Sequence, residues 1–315
     1  MSVSTRAGSP ASAPLTITGL NGYTGVVSLS FSVFPTSGLS CGLSVSNVTL
    51  GASGVSTLSC VGTAGVYDAT VTGRSSSLSH QVLITFTVQD FSVSAPTSMT
   101  VNATATGNAI VSVQSTNGFT GNVNLTLNIA PATGLSCTLS PVSVTLGTSS
   151  TSTLSCSGSV GSYSATVVGT SGTLTHSVTV QVTVEDFTVG SSPGLVIFIA
   201  FSRGNSTITV SPVNGYRGAV TLTVSAPGSL SCLITPASIS LGPSSTATLS
   251  CTGSATGTYQ ATLTGASSPL THSITVSFTV SDFTIAQTPK DLNLGAAGVS
   301  SSNTLRSVNN FVGTI

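Results

Sequence analysis

The feature that most constrains this chain is that it repeats itself. Asn21-Gly-Tyr-Thr-Gly25 returns as Asn117-Gly-Phe-Thr-Gly121, as Asn214-Gly-Tyr-Arg-Gly218 and, weakened, as Asn309-Asn-Phe-Val-Gly313, in steps of 96, 97 and 95 residues. Cys41, Cys137 and Cys232 keep the period, as do Cys60, Cys156 and Cys251, and Tyr67, Tyr163 and Tyr259. His80, His176 and His272 keep it too, and so do Asp90, Asp186 and Asp282. One unit has been copied along the chain, so the fold of a repeat is the fold of the whole. The copies divide as 1–89, which lacks its first strand, 90–185, 186–281, and 282–315, the opening of a fourth.

Within a copy the apolar period is two. In His80-Gln-Val-Leu-Ile-Thr-Phe-Thr-Val88 the side chains of Val82, Ile84, Phe86 and Val88 share a face, which is strand periodicity. The second repeat reads as strands over 91–93, 110–113, 123–129, 135–139, 142–146, 151–156, 163–168 and 175–184. Asn117-Gly118 marks a turn, and no stretch has a helical period. Seven or eight short strands in about 96 residues predict an all-β fold, an antiparallel sandwich of immunoglobulin type in tandem. With no Trp in the chain, the antibody pattern of a core Trp against a disulfide does not apply.

Composition removes several function classes. Six Lys or Arg balance six Asp or Glu, and 4% of residues are charged, against about a quarter in ordinary domains. The 59 Ser and 51 Thr take the polar role instead, so the surface is hydroxyl-rich. No basic stripe exists to neutralise a phosphate backbone, which excludes nucleic acid as a partner, and polybasic attraction to a membrane fails on the same ground. A hydrophobic fraction of 39% argues against disorder. The longest apolar run, Leu195 to Phe201, falls far short of the roughly 20 residues of a membrane span. The first ten residues contain no apolar stretch of a secretory signal.

These residues resemble the immunoglobulin-like repeats of prokaryotic secreted and cell-surface proteins. The likeness rests on Asp186-Phe-Thr-Val189, the Asn-Gly-Tyr/Phe-x-Gly turn, Leu135-Ser-Cys-Thr-Leu139, Ser143-Val-Thr-Leu-Gly147, Gly161-Ser-Tyr163 and Leu174-Thr-His176, and it covers essentially the whole chain. It implies the fold far more sharply than a role, because such modules serve as spacers, adhesive domains and enzyme appendages.

Each repeat runs into the next without a Gly/Ser linker, as in Thr85-Phe-Thr-Val-Gln-Asp-Phe-Ser-Val93, so stiff coupling is expected. With domains of roughly 30 Å, three would make a rod of about 100 Å. Both ends fall inside a repeat, which fits a fragment of a longer array. It also fits strand donation, in which the segment around Phe283, Ile285, Leu292 and Leu294 completes the first sandwich of another subunit, head to tail.

The pairs Cys41 with Cys60, Cys137 with Cys156 and Cys232 with Cys251 are each 19 positions apart and on inward parity, which predicts three disulfides and an oxidising compartment. The lone His of each repeat is expected at a rim, bonding a loop carbonyl, and each junction Asp is expected to cap a turn. Glu185 is the only acidic neighbour of a junction Asp, too few oxygens for calcium, and no Cys-x-x-Cys spacing suits zinc. Gly38-Leu-Ser-Cys-Gly42 matches the serine-hydrolase G-x-S-x-G pattern, but Ser40 lies in a strand with no helix after it. No catalytic residue, metal ligand or cofactor is assigned. Asn47, Asn102, Asn124 and Asn205 are glycosylation sequons. Leu195-Val-Ile-Phe-Ile-Ala-Phe201 is apolar on both faces; a lateral contact or cover by a neighbouring domain would explain it. The expected role is a non-enzymatic extracellular or cell-surface stalk or filament subunit. The alternative is an adhesin or accessory module binding cell-surface glycans or proteins.

Overall fold

In the computed structural model residues 1–147, 149–242, 245–288, 302–310 and 312 are described, and all regular structure among them is β-strand. The first repeat comprises β1 (Ser2–Arg6), β2 (Ala11–Thr18), β3 (Gly25–Phe34), β4 (Leu39–Leu43), β5 (Asn47–Leu50), β6 (Ser53–Gly62), β7 (Gly65–Ser75) and the start of β8 (Leu78–Ser94). One sheet runs β1-β8-β7-β3-β5 and the other β2-β6-β4. β1 is parallel to β8; the other pairings are antiparallel. Alternate residues close the core between the sheets: Ala69 on β7, Leu58 on β6, and Ile84, Phe86 and Val88 on β8 are fully buried.

The second repeat adds β9 (Ser98–Asn102), β10 (Gly107–Thr116), β11 (Gly121–Ala130), β12 (Leu135–Ser140), β13 (Ser143–Leu146), β14 (Ser149–Gly158), β15 (Gly161–Ser171) and β16 (Leu174–Ser192). The eight strands expected there are present, and β9 is an additional short one. The third repeat comprises β17 (Leu195–Ile199), β18 (Arg203–Val213), β19 (Ala219–Ser225), β20 (Leu230–Thr235), β21 (Ser238–Ser240), β22 (Ser245–Gly253), β23 (Gly257–Ser267) and β24 (Leu270–Thr288). β25 (Ser302–Val308) lies antiparallel on the far half of β24. The chain forms tandem immunoglobulin-like sandwiches.

The chain divides into two compact units. One consists of residues 1–99, 107–156 and 163–182 and contains the cores around Phe86 and Phe91. The other consists of residues 100–106, 157–162 and 183–315 and contains the core around Phe187 and Phe278.

The long strands carry the organisation. β8 spans 17 residues, and β16 and β24 span 19 each. The near half of β8 pairs with β7, closing the first sandwich, and its far half pairs with β10, opening the second. One hydrogen-bonded sheet, β12-β14-β10-β8-β7-β3-β5, therefore serves two sandwiches. Burial changes parity along the way: Phe86 and Val88 face one core, and Phe91, three residues after Val88, faces the next. Val184 and Phe187 on β16 repeat the arrangement. Successive side chains of a strand point to opposite faces, so the two cores lie on opposite faces of the shared sheet.

Candidate functional site

The functional geometry is concentrated where a repeat receives its first strand. In the second repeat the far half of β8 pairs antiparallel with β10, with Asp90 opposite Thr116, Phe91 opposite Ser115 and Val93 opposite Val113. Phe91 is 2% exposed and meets the edge of His176 with ring centroids 4.8 Å apart, and it packs tilted against Phe119 at 5.6 Å. Asp90 Oδ1 accepts from the amide of Phe91 at 2.8 Å and hydrogen-bonds His176 Nε2 at 2.8 Å. The third repeat reproduces this with Phe187 against His272 and Tyr216, and with Asp186 Oδ1 at 2.8 Å from His272 Nε2. A close approach makes the fit possible: a Cβ on Gly169 would lie 2.9 Å from Val93 Cγ2, and one on Gly265 would lie 3.0 Å from Val189 Cγ2.

Two expectations are corrected here. The histidine partner is a carboxylate, not a loop carbonyl, and the junction Asp holds that histidine as well as its own strand amide. The partners are 86 residues apart, too far for a local reading of either to join them.

The first repeat has the same receiving groups with no residue of this chain's opening strand over them. They line an open groove of about 460 Å³ that includes Ile17, Tyr23, Gly73, Leu78, His80 and Val82. Leu78 is 54% exposed, where the equivalent Leu174 and Leu270 are at 6% and 2%. Val82, expected on the core face, is 43% exposed for the same reason. β2 has 8 residues where β10 has 10, because the two positions that would pair with an Asp-Phe strand are not in strand form. The groove wall is anchored, since the Tyr23 hydroxyl bonds Ser75 Oγ at 2.5 Å as Tyr216 bonds Ser267.

The Asn-Gly turns bind each junction. Asn117 and Gly118 both adopt the left-handed region, at φ 54° and 74°, which Asn and Gly tolerate best. The turn links β10 and β11 in opposite sheets, and Asn117 Nδ2 donates back to Val88 O at 2.9 Å. Asn214 donates to Val184 O at 3.0 Å, and Asn309 to Val280 O at 3.2 Å. The Arg6 guanidinium lies 5.2 Å over the Phe119 ring. Burial raises the Glu185 carboxyl above its ordinary value.

The three disulfides form as expected, each joining directly opposite residues of neighbouring strands within one sheet, with Cα atoms 4.1 Å apart. Ser40 is exposed in mid-strand on β4 beside one of them, without the strand-to-helix turn a nucleophile needs. Asn47, Asn124 and Asn205 are exposed; Asn102 is half-buried on β9. Among the described residues nothing covers the outer face of the apolar strand: Val196 and Phe198 face the core, while Leu195, Ile197 and Ile199 are 53%, 52% and 48% exposed on β17. Of the proposed polymer contacts, Phe283 is 38% and Ile285 65% exposed; Leu292 and Leu294 lie outside the described residues.

This fold and these junctions define the class of tandem immunoglobulin-like β-sandwich proteins. No family model and no curated protein matches the chain. Among solved structures it is similar to domains 4 and 5 of the S-layer protein SbsC, at 16% identity over 50% of this chain and 76% of that one, with a TM-score of 0.26. It is also similar to an I-band fragment of titin, at 10% identity over 89% and 95%, with a TM-score of 0.35. A third similarity is to the D00-D0 domain of intimin, at 12% identity over 60% and 99%, with a TM-score of 0.36.

Proposed function

We propose that the chain is a non-enzymatic structural module that works outside the cell, as a segment of a cell-surface stalk or filament. The observation that carries this reading is the continuity of β8 and β16: the last strand of one sandwich is the first of the next, with no linker. Within the first unit, a junction made of one hydrogen-bonded strand and clamped by Asn117 to Val88 resists bending in a way that a flexible linker does not. Three disulfides support an oxidising compartment. A hydroxyl-rich surface suits a role that requires neither charge steering nor a reactive centre.

Negative-stain electron microscopy of the disulfide-intact chain tests the reading. Straight particles of about 100 Å with a narrow distribution of bend angles are expected. Particles that bend freely at the junctions would overturn it. The exposed apolar row of β17 is the observation that would favour an adhesive module instead, through contact with a surface protein.

A further inference from the structure

Each repeat lays one short strand beside its last long one: β1 on β8, β9 on β16 and β17 on β24. A residue in the left-handed region follows each time, Gly8, Thr104 and Phe201, at φ 73°, 69° and 66°, and this aligns the three strands. Their outward rows are then Ser2, Ser4 and Arg6 in the first repeat, Ser98, Thr100 and Asn102 in the second, and Leu195, Ile197 and Ile199 in the third. The third row alone is apolar. Ser98 and Thr100 are exposed although their repeat has another on either side, so exposure at Leu195 and Ile197 belongs to the position in the fold.

The backbone of β17 is as open as its side-chain row. β17 is the end strand of the sheet β17-β24-β23-β19-β21. The Ser277 amide donates to Gly194 O and the Ala200 amide to Ser281 O, each at 2.9 Å, which fixes the phase of the parallel ladder. Alternate residues of a strand turn their N–H and C=O to opposite edges, so Val196 and Phe198 serve β24, and the backbone groups of Leu195 and Ile197 point out of the sheet. Among the described residues nothing hydrogen-bonds them. Natural proteins usually blunt such an edge with charge. Arg6 does so on β1, and β17 has Ile199 in its place.

We propose that β17 pairs edge to edge with β17 of a second copy of this chain, antiparallel about a two-fold axis through Ile197. Ile197 then faces its counterpart and exchanges both backbone hydrogen bonds with it, while Leu195 faces Ile199 of the second copy. The six outward side chains join into one apolar stripe, and one sheet runs through both copies. A second copy suits this edge because β17 contains no charged residue, so the two-fold axis sets no like charges against each other. The size agrees as well. The row leaves roughly 300 Å² of apolar surface per copy, the scale of the largest patches that monomers expose. With the backbone edges buried beside it, the pairing covers about 1,000 Å² in total, at the lower limit for a specific interface, which makes the dimer weak. Because both copies use the same surface, association stops at two. The inference goes beyond the stalk reading, since pairing at β17 does not depend on how stiff the junctions are.

Sedimentation velocity of the full, disulfide-intact chain over a concentration series tests this. A monomer–dimer equilibrium with a Kd on the order of 10–100 µM is expected. Ile197→Lys, which sets two ammonium groups against each other at the axis, should abolish the dimer. Leu195→Ser combined with Ile197→Thr, the residues the second repeat has at those places, should weaken association about 10-fold or more. Unchanged circular dichroism and melting temperature would show that both variants are still folded. Oxidative crosslinking reads the register: Ile197→Cys should give a covalent dimer, because residues facing each other in such a pair have Cα atoms about 5.5 Å apart. Leu195→Cys, with its own counterpart four residues away along the paired strand, should not. A chain that stays monomeric at about 1 mM would overturn the proposal and give β17 to a different partner. Dimers that survive Ile197→Lys, oligomers that grow past two, or crosslinking at Leu195→Cys as ready as at Ile197→Cys would overturn it too. Straight monomers in the microscope would leave the stalk reading intact while this inference falls, and freely bending dimers would do the reverse.

Discussion

The first repeat and the third present nearly the same receiving surface, one bare and one filled. Tyr23, Gly73, Leu78 and His80 correspond to Tyr216, Gly265, Leu270 and His272, yet Leu78 is 54% exposed and Leu270 2%. The difference comes from the opening strand, which Asp186-Phe187 supplies to the third repeat and which no described residue supplies to the first. The opening strand is therefore one wall of the core, and in the second and third repeats it is continuous with the last strand of the repeat before it.

Four contrasts between variants and one titration can break or sharpen that comparison. The largest effect is expected at the phenylalanine of the opening strand. Phe187→Ala should destabilise the third repeat by about 3–5 kcal/mol, whereas Phe283→Ala, at a 38% exposed site, should cost little. Loss of amide-exchange protection along β18 and β23 would report the difference, and equal losses for both variants would undo it. The disulfides provide a control that should not distinguish open from filled repeats. Replacing Cys41 and Cys60 by Ser, or Cys137 and Cys156, should cost about 3 kcal/mol either way, read from urea unfolding.

Glycine comes next. Gly169→Ala pushes a methyl group against Val93 and should cost about 1–3 kcal/mol, while Gly73→Ala, whose methyl group would meet Val27 Cγ1 at 3.2 Å but no opening strand, should cost less. A thermal melt that moved equally for both would contradict the open groove. His176→Gln should then lose about 0.5–1 kcal/mol, since its pair with Asp90 is partly exposed, and His80→Gln should leave the melting temperature unchanged.

Acid should have the smallest effect. Glu185 has a raised folded-state pKa, so its contribution to stability is fully present below its unfolded value and is lost as pH rises through the folded one. With only six Asp and Glu in the chain, strand circular dichroism should persist to about pH 3. A transition near pH 4 would show that the Asp–His pairs of the filled repeats matter more than their exposure suggests.

Most of the fold was legible in the sequence. Alternation of the Val82–Val88 kind marks a strand and its inward face without any knowledge of its neighbours, and the 19-residue Cys spacing on inward parity marks a bridge. Alternation does not show whether the inward face is covered, and so Val82 reads as core. What covers its counterparts in the other repeats lies more than 80 residues away along the chain. A usable signal did exist: Asp90 and His176 recur with the same period, and the repeat whose Asp is absent is the one whose histidine, His80, stands exposed. Pairing by shared recurrence would have linked them where local spacing could not. The parallel pairing of β1 with β8 and of β17 with β24 escaped for a different reason: alternation marks a strand and its faces but not the direction of its neighbour.

The change of face along β8 sets a rule for how such an array can vary in length. From Val88 to Phe91, from Val184 to Phe187 and from Val280 to Phe283 the count is always three, although the Asn turns are spaced unequally, at 96, 97 and 95 residues. One extra residue in a loop is absorbed by the loop. One extra residue at the junction would turn every later side chain of the strand over, putting Phe187 into solvent and Thr188 into the core. Copies of this unit can drift in length anywhere except at the joint, where insertions must come in pairs.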